Sequence, residues 1–259
     1  MQLNNSNNTE ARSLGLLLLD IGIALLSSGA SISRIRITIN RIAHVFNYDT
    51  NITIGHKSIS LTLNDDDTFP QFNGMKSTAS QLVNLRLISG ISRMSWKAVQ
   101  NNLSIEEIKS ELHRLTSLPH YPRLVVLLLV SLADSAFCFA FGGNTTELII
   151  TFAATFFGLF IRQEAAKKEF NLYFCVFFGS LAASLFAGAF IKLGLVTNAE
   201  HAFATSVLFL IPGVPLINSF TDLIDGNIQN GLARGINGLM IAFAIAVGLL
   251  AAMTIYNIR

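Results

Sequence analysis

The chain has 259 residues, 51% of them hydrophobic and only 13% charged, with a formal net charge of +2. A soluble domain carries about 25% charged residues, so the composition excludes an ordinary soluble protein. So small a net charge also gives no reason to expect a nucleic-acid partner. The charge deficit is local. Residues 1–120 hold 11 of the 18 Lys/Arg and 9 of the 16 Asp/Glu, whereas residues 121–259 hold 17 of the 20 Phe. Two regions follow, one soluble in character and one suited to lipid. Cys138 and Cys175 both fall in apolar runs and read as packing residues rather than a disulfide or a metal pair. The opening "MQLNNSNNTEARS" is polar, and the apolar run behind it is short and broken by Asp20. No signal peptide is expected, and residues 1–120 are expected in the cytoplasm.

In chain order, the apolar stretch Leu14–Leu26 comes first, then "SSGAS" at Ser27–Ser31. Gly29 weakens or kinks a helix there, and the favoured reading is a helix–helix junction. Ile32, Ile35, Ile39, Ile42 and Phe46 are spaced three and four apart, with Arg34, Arg36 and Arg41 off the stripe, which predicts an amphipathic helix with one buried face. Ile52 and Ile54, then Ile59, Leu61 and Leu63, alternate with polar residues around Gly55-His56-Lys57, which predicts a hairpin. "NDDDT" at 64–68 reads as a solvated turn. It lacks the spaced ligands of a calcium loop, so no metal is expected. Val83, Leu85 and Leu87 alternate and predict a third strand. Two helices follow. The second opens on a Ser104–Glu107 capping box and ends at Pro119 and Pro122. Residues 1–120 are thus expected to form a small α+β domain.

Residues 121–259 are expected to form a transmembrane domain of five helices, at about 122–141, 143–161, 171–191, 201–217 and 232–256. A spanning helix needs about 20 apolar residues, so the second and fourth are marginal in length. The link after the second span, "RQEAAKKE", carries Arg162, Lys167 and Lys168, while "GGNTTE" after the first carries no Lys or Arg. The positive-inside rule then places the amino terminus in the cytoplasm and the carboxyl terminus outside. Small residues at four-residue spacing (Gly179, Ala183 and Ala187; Gly238, Ala242 and Ala246; Ala244, Gly248 and Ala252) offer faces for close helix approach.

The chain lacks a P-loop, a G-x-S-x-G elbow, an H-E-x-x-H pair and a Cys/His zinc set. An ATP-driven pump is not indicated, and neither is an enzyme. The informative residues are the polar ones within apolar runs. Asp134 lies well inside the first span, where a charge costs upward of about 2.5–3.5 kcal/mol. It is either a binding site for proton or substrate, or a helix–helix hydrogen bond made by a protonated acid. "LIPGVPLINSFTD" at Leu210–Asp222 breaks a span at Pro212, Gly213 and Pro215. Irregular backbone in lipid survives only when sheltered by protein or lining a cavity. Transporters use such broken helices at their sites. Asn218 and Asp222 share a face if helix resumes after Pro215, and Asp225 lies three residues on.

These residues resemble a known family. "LIPGVPLINSFTDLIDGNIQNGLARG" is similar to the signature of the threonine/serine exporter family (the ThrE and YjjP-like proteins). Pro212, Gly213, Asn218, Asp222, Gly226, Gly231 and Arg234 stand at its positions. "AFCFAFGGN" resembles the family's F-x-G-G-D, with Gly142 and Gly143 matched and Asn144 in place of the acid. "IRQ" at 161–163 resembles its link after the second span. "LLSSGASISRIRITINRIA" is similar to its amino-terminal helix, with Gly29, Ser31 and Arg34 in place. The resemblance implies a cytoplasmic domain joined to a five-helix membrane part, and export of small polar metabolites driven by the proton gradient. Threonine and serine are the named substrates, and split members are linked to succinate. Long members fuse this unit to a second membrane unit. This chain ends straight after its fifth span and is expected to be the first half of a split pair.

The reading is then a mainly α membrane protein, a five-helix transmembrane bundle preceded by a small cytoplasmic α+β domain, in the bacterial cytoplasmic (inner) membrane. It is read as a subunit of a proton-coupled exporter of serine, threonine or a small carboxylate, without cofactor or metal. Its expected partners are the lipid bilayer and a second small membrane subunit or another copy of itself. Asp134, Asn218, Asp222, Pro212, Gly213 and Pro215 are the candidate substrate and proton pathway, with Asp134 as proton carrier. Gly142, Gly143, Asp225, Gly226 and Arg234 are candidate gating or structural residues. The rival readings are a membrane-anchored sensor without transport activity and a membrane-embedded enzyme acting on lipid.

Overall fold

The computed structural model describes residues 2–64, 70–78, 82–119, 121–194 and 199–257. The acidic turn expected at Asp65–Thr68 lies outside them. The chain divides into two compact units, Met1–Pro119 with Val214–Gly235, and His120–Gly213 with Ile236–Arg259.

The first unit opens with α1 (Gln2–Ser27) and α2 (Ile32–Val45), joined at the expected junction. An antiparallel sheet follows, ordered β1 (Asp49–Ile54), β2 (Ser58–Asn64), β3 (Pro70–Ser77). Ile52 pairs with Leu61 and Ile54 with Ile59. The alternation therefore puts Ile52, Ile54, Ile59, Leu61 and Leu63 into one core with Leu14, Leu18, Ile21 and Leu25 of α1 and Ile35, Ile39 and Ile42 of α2. Each such fully buried side chain contributes about 1.5–3 kcal/mol relative to exposure. Then come α3 (Leu85–Asn101) and α4 (Ile105–Thr116), the latter opened by the expected Ser104–Glu107 capping box.

The strand expected at Val83–Leu87 is a helix start. Asn84 caps α3 by accepting the Leu87 N–H at 3.0 Å, and Ile88, Ile91, Met94 and Ala98 bury a face at helical spacing. A stripe of about three turns outweighs three alternating residues. The third strand is instead Pro70–Ser77, an edge strand with few apolar residues. Such a strand leaves little hydrophobic alternation to read.

The second unit holds α5 (Arg123–Ala140), α6 (Thr145–Lys167), α7 (Leu172–Lys192), α8 (Ala199–Ser206) and a 3-10 turn (Leu208–Leu210). Next in the chain, α9 (Gly213–Ile224) falls almost wholly in the first unit. The helix α10 (Ile228–Tyr256) begins in the first unit and continues in the second. Among the described residues, four helices, α5, α6, α7 and α10, are long and apolar enough to cross a membrane. The count is up to five if the bent pair Phe203–Leu210 and Gly213–Ile224 is one span. α6 runs past the expected residue 161 because Gln163, Glu164, Ala165 and Ala166 favour helix as strongly as the apolar residues do. In α7 and α10, Ser180 Oγ donates to the Ile245 carbonyl at 2.8 Å. A Cβ on Gly248 would sit 2.9 Å from the Phe177 carbonyl oxygen. That small face is used inside the unit, whereas Ala242 and Ala246 stay exposed.

Candidate functional site

Within the second unit, Asp134 of α5 is only 4% exposed. Its Oδ2 accepts the Thr155 hydroxyl of α6 at 3.0 Å and the backbone N–H of Phe209 at 3.3 Å. Phe209 sits in the 3-10 turn before Pro212. A short 3-10 turn leaves its first N–H groups without helical partners. Burying one unpaired would cost about 1–3 kcal/mol. The acid takes that N–H, so the span's one buried carboxyl is bonded to the broken segment.

The α6 face that meets Asp134 is polar along its length. Glu147, Thr151, Thr155 and Arg162 follow at intervals of four, four and seven residues, which places them on one side of a helix. Glu147 is buried and closes a capping box with Asn144, accepting the Asn144 N–H at 3.1 Å while Asn144 Oδ1 accepts the Glu147 N–H at 2.9 Å. Asparagine caps a helix as well as aspartate does, so the substitution from the family pattern keeps this cap. Thr151 hydrogen-bonds Thr205 at 3.1 Å. Near the other end, Gln163 and Glu164 both bind Arg123. Arg162, half-buried, makes no hydrogen bond or ion pair among the described residues. Its Cβ lies against Gly179 of α7. Sequence reading missed Thr155 and Arg162 as members of this stripe. Their four- and seven-residue spacing is the signal that could have found them.

In the first unit, the signature residues gather on the α1–α2 junction. α9 begins at Gly213. Pro212 stands before it and Pro215 within its first turn, where no helical N–H bond is lost. Asn218, Ser219 and Asp222 then lie on one side of α9. Asn218 Nδ2 donates to the Gly29 carbonyl at 2.6 Å. Asp222 is fully buried. Its Oδ1 accepts the Ile32 N–H at 3.0 Å, and its Oδ2 lies 2.9 Å from Arg234 Nη1. Arg234 Nη2 donates to the Ala30 carbonyl at 2.8 Å. Asn230 Nδ2 reaches the Ile54 carbonyl at 2.7 Å, and Ser219 Oγ the Gly231 carbonyl at 2.7 Å. The bonds to the Gly29 and Ala30 carbonyls and to the Ile32 N–H satisfy groups left over where α1 stops and α2 starts.

The glycines explain why those groups are free. Gly29 has φ +82°, with Gly29 N–H bonded to Leu26 and Ala30 N–H to Leu25, which stops α1 in a left-handed cap. The same two-bond pattern ends α9 at Gly226 (φ +80°) and α5 at Gly142 (φ +92°). Next to Gly142, a Cβ on Gly143 would fall 2.5 Å from Cys138 Sγ. Asp225 is the residue just before Gly226 and lines a surface cleft with Arg34 and Arg41.

His56, in the β1–β2 turn, has its pKa held below the ordinary 6.5, chiefly by burial, then by the nearby Lys57 and Arg234 charges. The unfolded chain therefore takes up this proton at a higher pH than the folded one. Stability present above pH 6.5 falls as pH drops through that value toward the folded pKa. Replacing His56 by Gln is expected to flatten the loss of thermal stability between pH 7.5 and pH 5.5, measured as the change in Tm across that window.

Apolar helices long enough to span, an acid buried in one of them, and a broken helix bonded to that acid define a membrane transporter more readily than an anchored domain. The comparisons agree. The family described as "Putative threonine/serine exporter" matches residues 16–256, and the chain belongs to it. This is a family of membrane transporters and not of enzymes. The chain is 27% identical over 254 residues to the "Probable succinate transporter subunit YjjP" of Escherichia coli, covering 96% of this chain and 97% of that one. It is 24% identical to the protein of the same name in Klebsiella aerogenes, covering 98% of each. It is 24% identical over 236 residues to the "Probable threonine/serine exporter" of Mycobacterium tuberculosis, covering 88% of this chain and 44% of that longer one. No solved structure matches the chain.

Proposed function

We propose that the chain is one subunit of a proton-coupled secondary exporter of small polar metabolites, serine, threonine or a dicarboxylate such as succinate. It works in the bacterial inner membrane with a second small membrane subunit. The observation that carries this reading is the bond from Asp134 to the Phe209 N–H, which ties a buried acid to the broken helix. Deprotonated, the carboxylate holds both Thr155 and the 3-10 turn. Protonated, it is a weaker acceptor and releases the turn ahead of Pro212. Proton occupancy then shifts the equilibrium of the broken segment, which is the coupling a secondary exporter needs. Arg162, on the same face of α6 and without a hydrogen bond or ion pair among the described residues, supplies a partner for a substrate carboxylate.

The proposed topology has the amino terminus in the cytoplasm and the carboxyl terminus outside. The Lys/Arg asymmetry of the first two links supports it. So does the placement of Val214–Gly235 in the unit formed by residues 1–119. Three crossings by α5, α6 and α7 would leave the chain outside, so this topology takes the segment ahead of α9 as a fourth crossing that returns the chain before Asn218 meets Gly29. The relatives named as a succinate transporter subunit support a two-subunit assembly. Counterflow of labelled serine, threonine and succinate in vesicles holding both chains tests the reading. Accumulation of at least one is expected, and none above empty vesicles would contradict it.

A further inference from the structure

The first unit carries a surface that the transport reading does not use. In a water-soluble unit a helix turns its apolar side inward, and α9 does the reverse. Ser219 and Asp222 are buried, and Asn218 bonds the Gly29 carbonyl. Ile217, Phe220 and Ile224, at intervals of three and four, are 67%, 69% and 74% exposed. Such spacing puts all three on one face of the helix. The polar face of α9 thus serves the α1–α2 junction, and its apolar face is left uncovered by the chain.

We infer that α9 is an interfacial helix, with this face set into lipid at the boundary between headgroups and acyl chains. Its depth is fixed by its neighbour. α9 has 12 residues, about 18 Å of helix, too short to cross a hydrocarbon core of about 30 Å. Only Asp225, Gly226 and Asn227 separate it from α10, so its end lies within about 15 Å of the α10 start. α10 has 29 residues, about nine more than a span needs. The surplus falls at its beginning, where Gln229, Asn230 and Arg234 interrupt the apolar residues. α9 therefore lies at the level where α10 enters lipid. Apolar exposure also runs on without a gap: Ile228, Leu232, Ile236, Leu239 and Phe243 form one exposed row along α10. The chemistry selects lipid over another protein helix. Helix–helix faces in membranes are built on small residues, and the outward face of α9 offers Ile217, Phe220, Leu223 and Ile224 instead. On its flank, α2 carries Arg34, Arg36 and Arg41 and no acid. Arg34 and Arg41 line a cleft there with Thr221 and Asp225 of the α9 side. The Arg34 side chain makes no hydrogen bond or ion pair among the described residues. Cations beside an apolar helix face suit an anionic lipid surface. α9 then joins the α1–α2 junction on one side to the bilayer on the other. This needs a bilayer around α10 but no transport activity.

The test is spin-label accessibility in the full chain, in vesicles of phosphatidylethanolamine and phosphatidylglycerol at low protein density. Labels are placed through Ile217→Cys, Phe220→Cys and Ile224→Cys, one at a time. Phe243→Cys on the exposed row of α10 serves as the lipid reference and Lys97→Cys on α3 as the water reference. The unsubstituted chain, whose two cysteines are buried, is the blank. Each label is relaxed by oxygen, which concentrates in lipid, and by a nickel chelate, which stays in water. Oxygen is expected to outweigh nickel at positions 217, 220 and 224, as at Phe243, with the order inverted at Lys97. The same result is expected when the proposed second subunit is present. Nickel outweighing oxygen at the three α9 positions would put the face in water and overturn the inference. Protection from both reagents, in either preparation, would show that a second copy or the other subunit covers it and would overturn it equally.

Discussion

Asp134→Asn is expected to abolish proton-driven export while leaving the chain inserted and folded. Asparagine keeps the volume of the acid and an oxygen able to accept from Thr155 and from the Phe209 N–H. What it loses is the ability to bind and release a proton. Export against a gradient should therefore fall to the level of empty vesicles, while exchange of substrate between the two sides, which moves no net proton, should persist. Asp134→Ala is the harsher change, because it also leaves the Phe209 N–H unpaired, at a cost of about 1–3 kcal/mol. It should impair folding as well as export. Undiminished gradient-driven export by the asparagine variant would remove Asp134 from the mechanism.

The second large effect is on stability. Asp222→Ala should destabilise the first unit by about 3–5 kcal/mol, because it leaves Arg234 buried without its counter-charge and strips the Ile32 N–H of its acceptor. Arg234→Ala should cost a similar amount by leaving the fully buried Asp222 alone. The two changes are not additive, since both break one ion pair. A double substitution to apolar residues of similar volume should recover much of the loss. Asn218→Ala, which removes one neutral hydrogen bond to Gly29, should cost only about 1 kcal/mol. Thermal unfolding of the four variants in nanodiscs, with amide exchange followed across Gly29–Ile35, measures this. A Tm for Asp222→Ala equal to the parent would show that the pair does not hold the junction.

Local rules were enough to read most of the fold. The stripe at Ile32, Ile35, Ile39 and Ile42 and the alternation at Ile52–Leu63 carry their own periods, and α2, β1 and β2 stand where those periods require. The Ser104–Glu107 box was legible for the same reason. Elements without a strong period were not. β3 presents little apolar alternation, and Val83–Leu87 mimicked a strand over a stretch too short to outweigh the helix behind it.

The candidate sites divide in the same way. That Asn218 and Asp222 share a face follows from a four-residue spacing. What that face touches does not, because the partners of Asp222 lie 190 residues away at Ile32 and 12 residues on at Arg234. Gly29 showed its helix-stopping chemistry in the sequence. That its carbonyl and that of Ala30 receive Asn218 and Arg234 is a long-range pairing no local pattern encodes. Asp134 stood out because charge is rare in lipid, while its donors Thr155 and Phe209 are ordinary residues until the chain folds. The helix break falls at Pro212, between Leu210 and Gly213, and the contacts on its two sides differ. The turn before Pro212 bonds Asp134, and the helix after it anchors the α1–α2 junction.

The central claim is that proton movement is coupled to substrate movement through Asp134. Vesicles holding this chain and the proposed second subunit, loaded with a pH-sensitive dye, give the most direct measurement. Imposing an outward gradient of the transported substrate should drive a pH change across the membrane in wild-type vesicles and none in Asp134→Asn vesicles. Substrate efflux without any accompanying pH change in the wild type, or the same change in both, would contradict it.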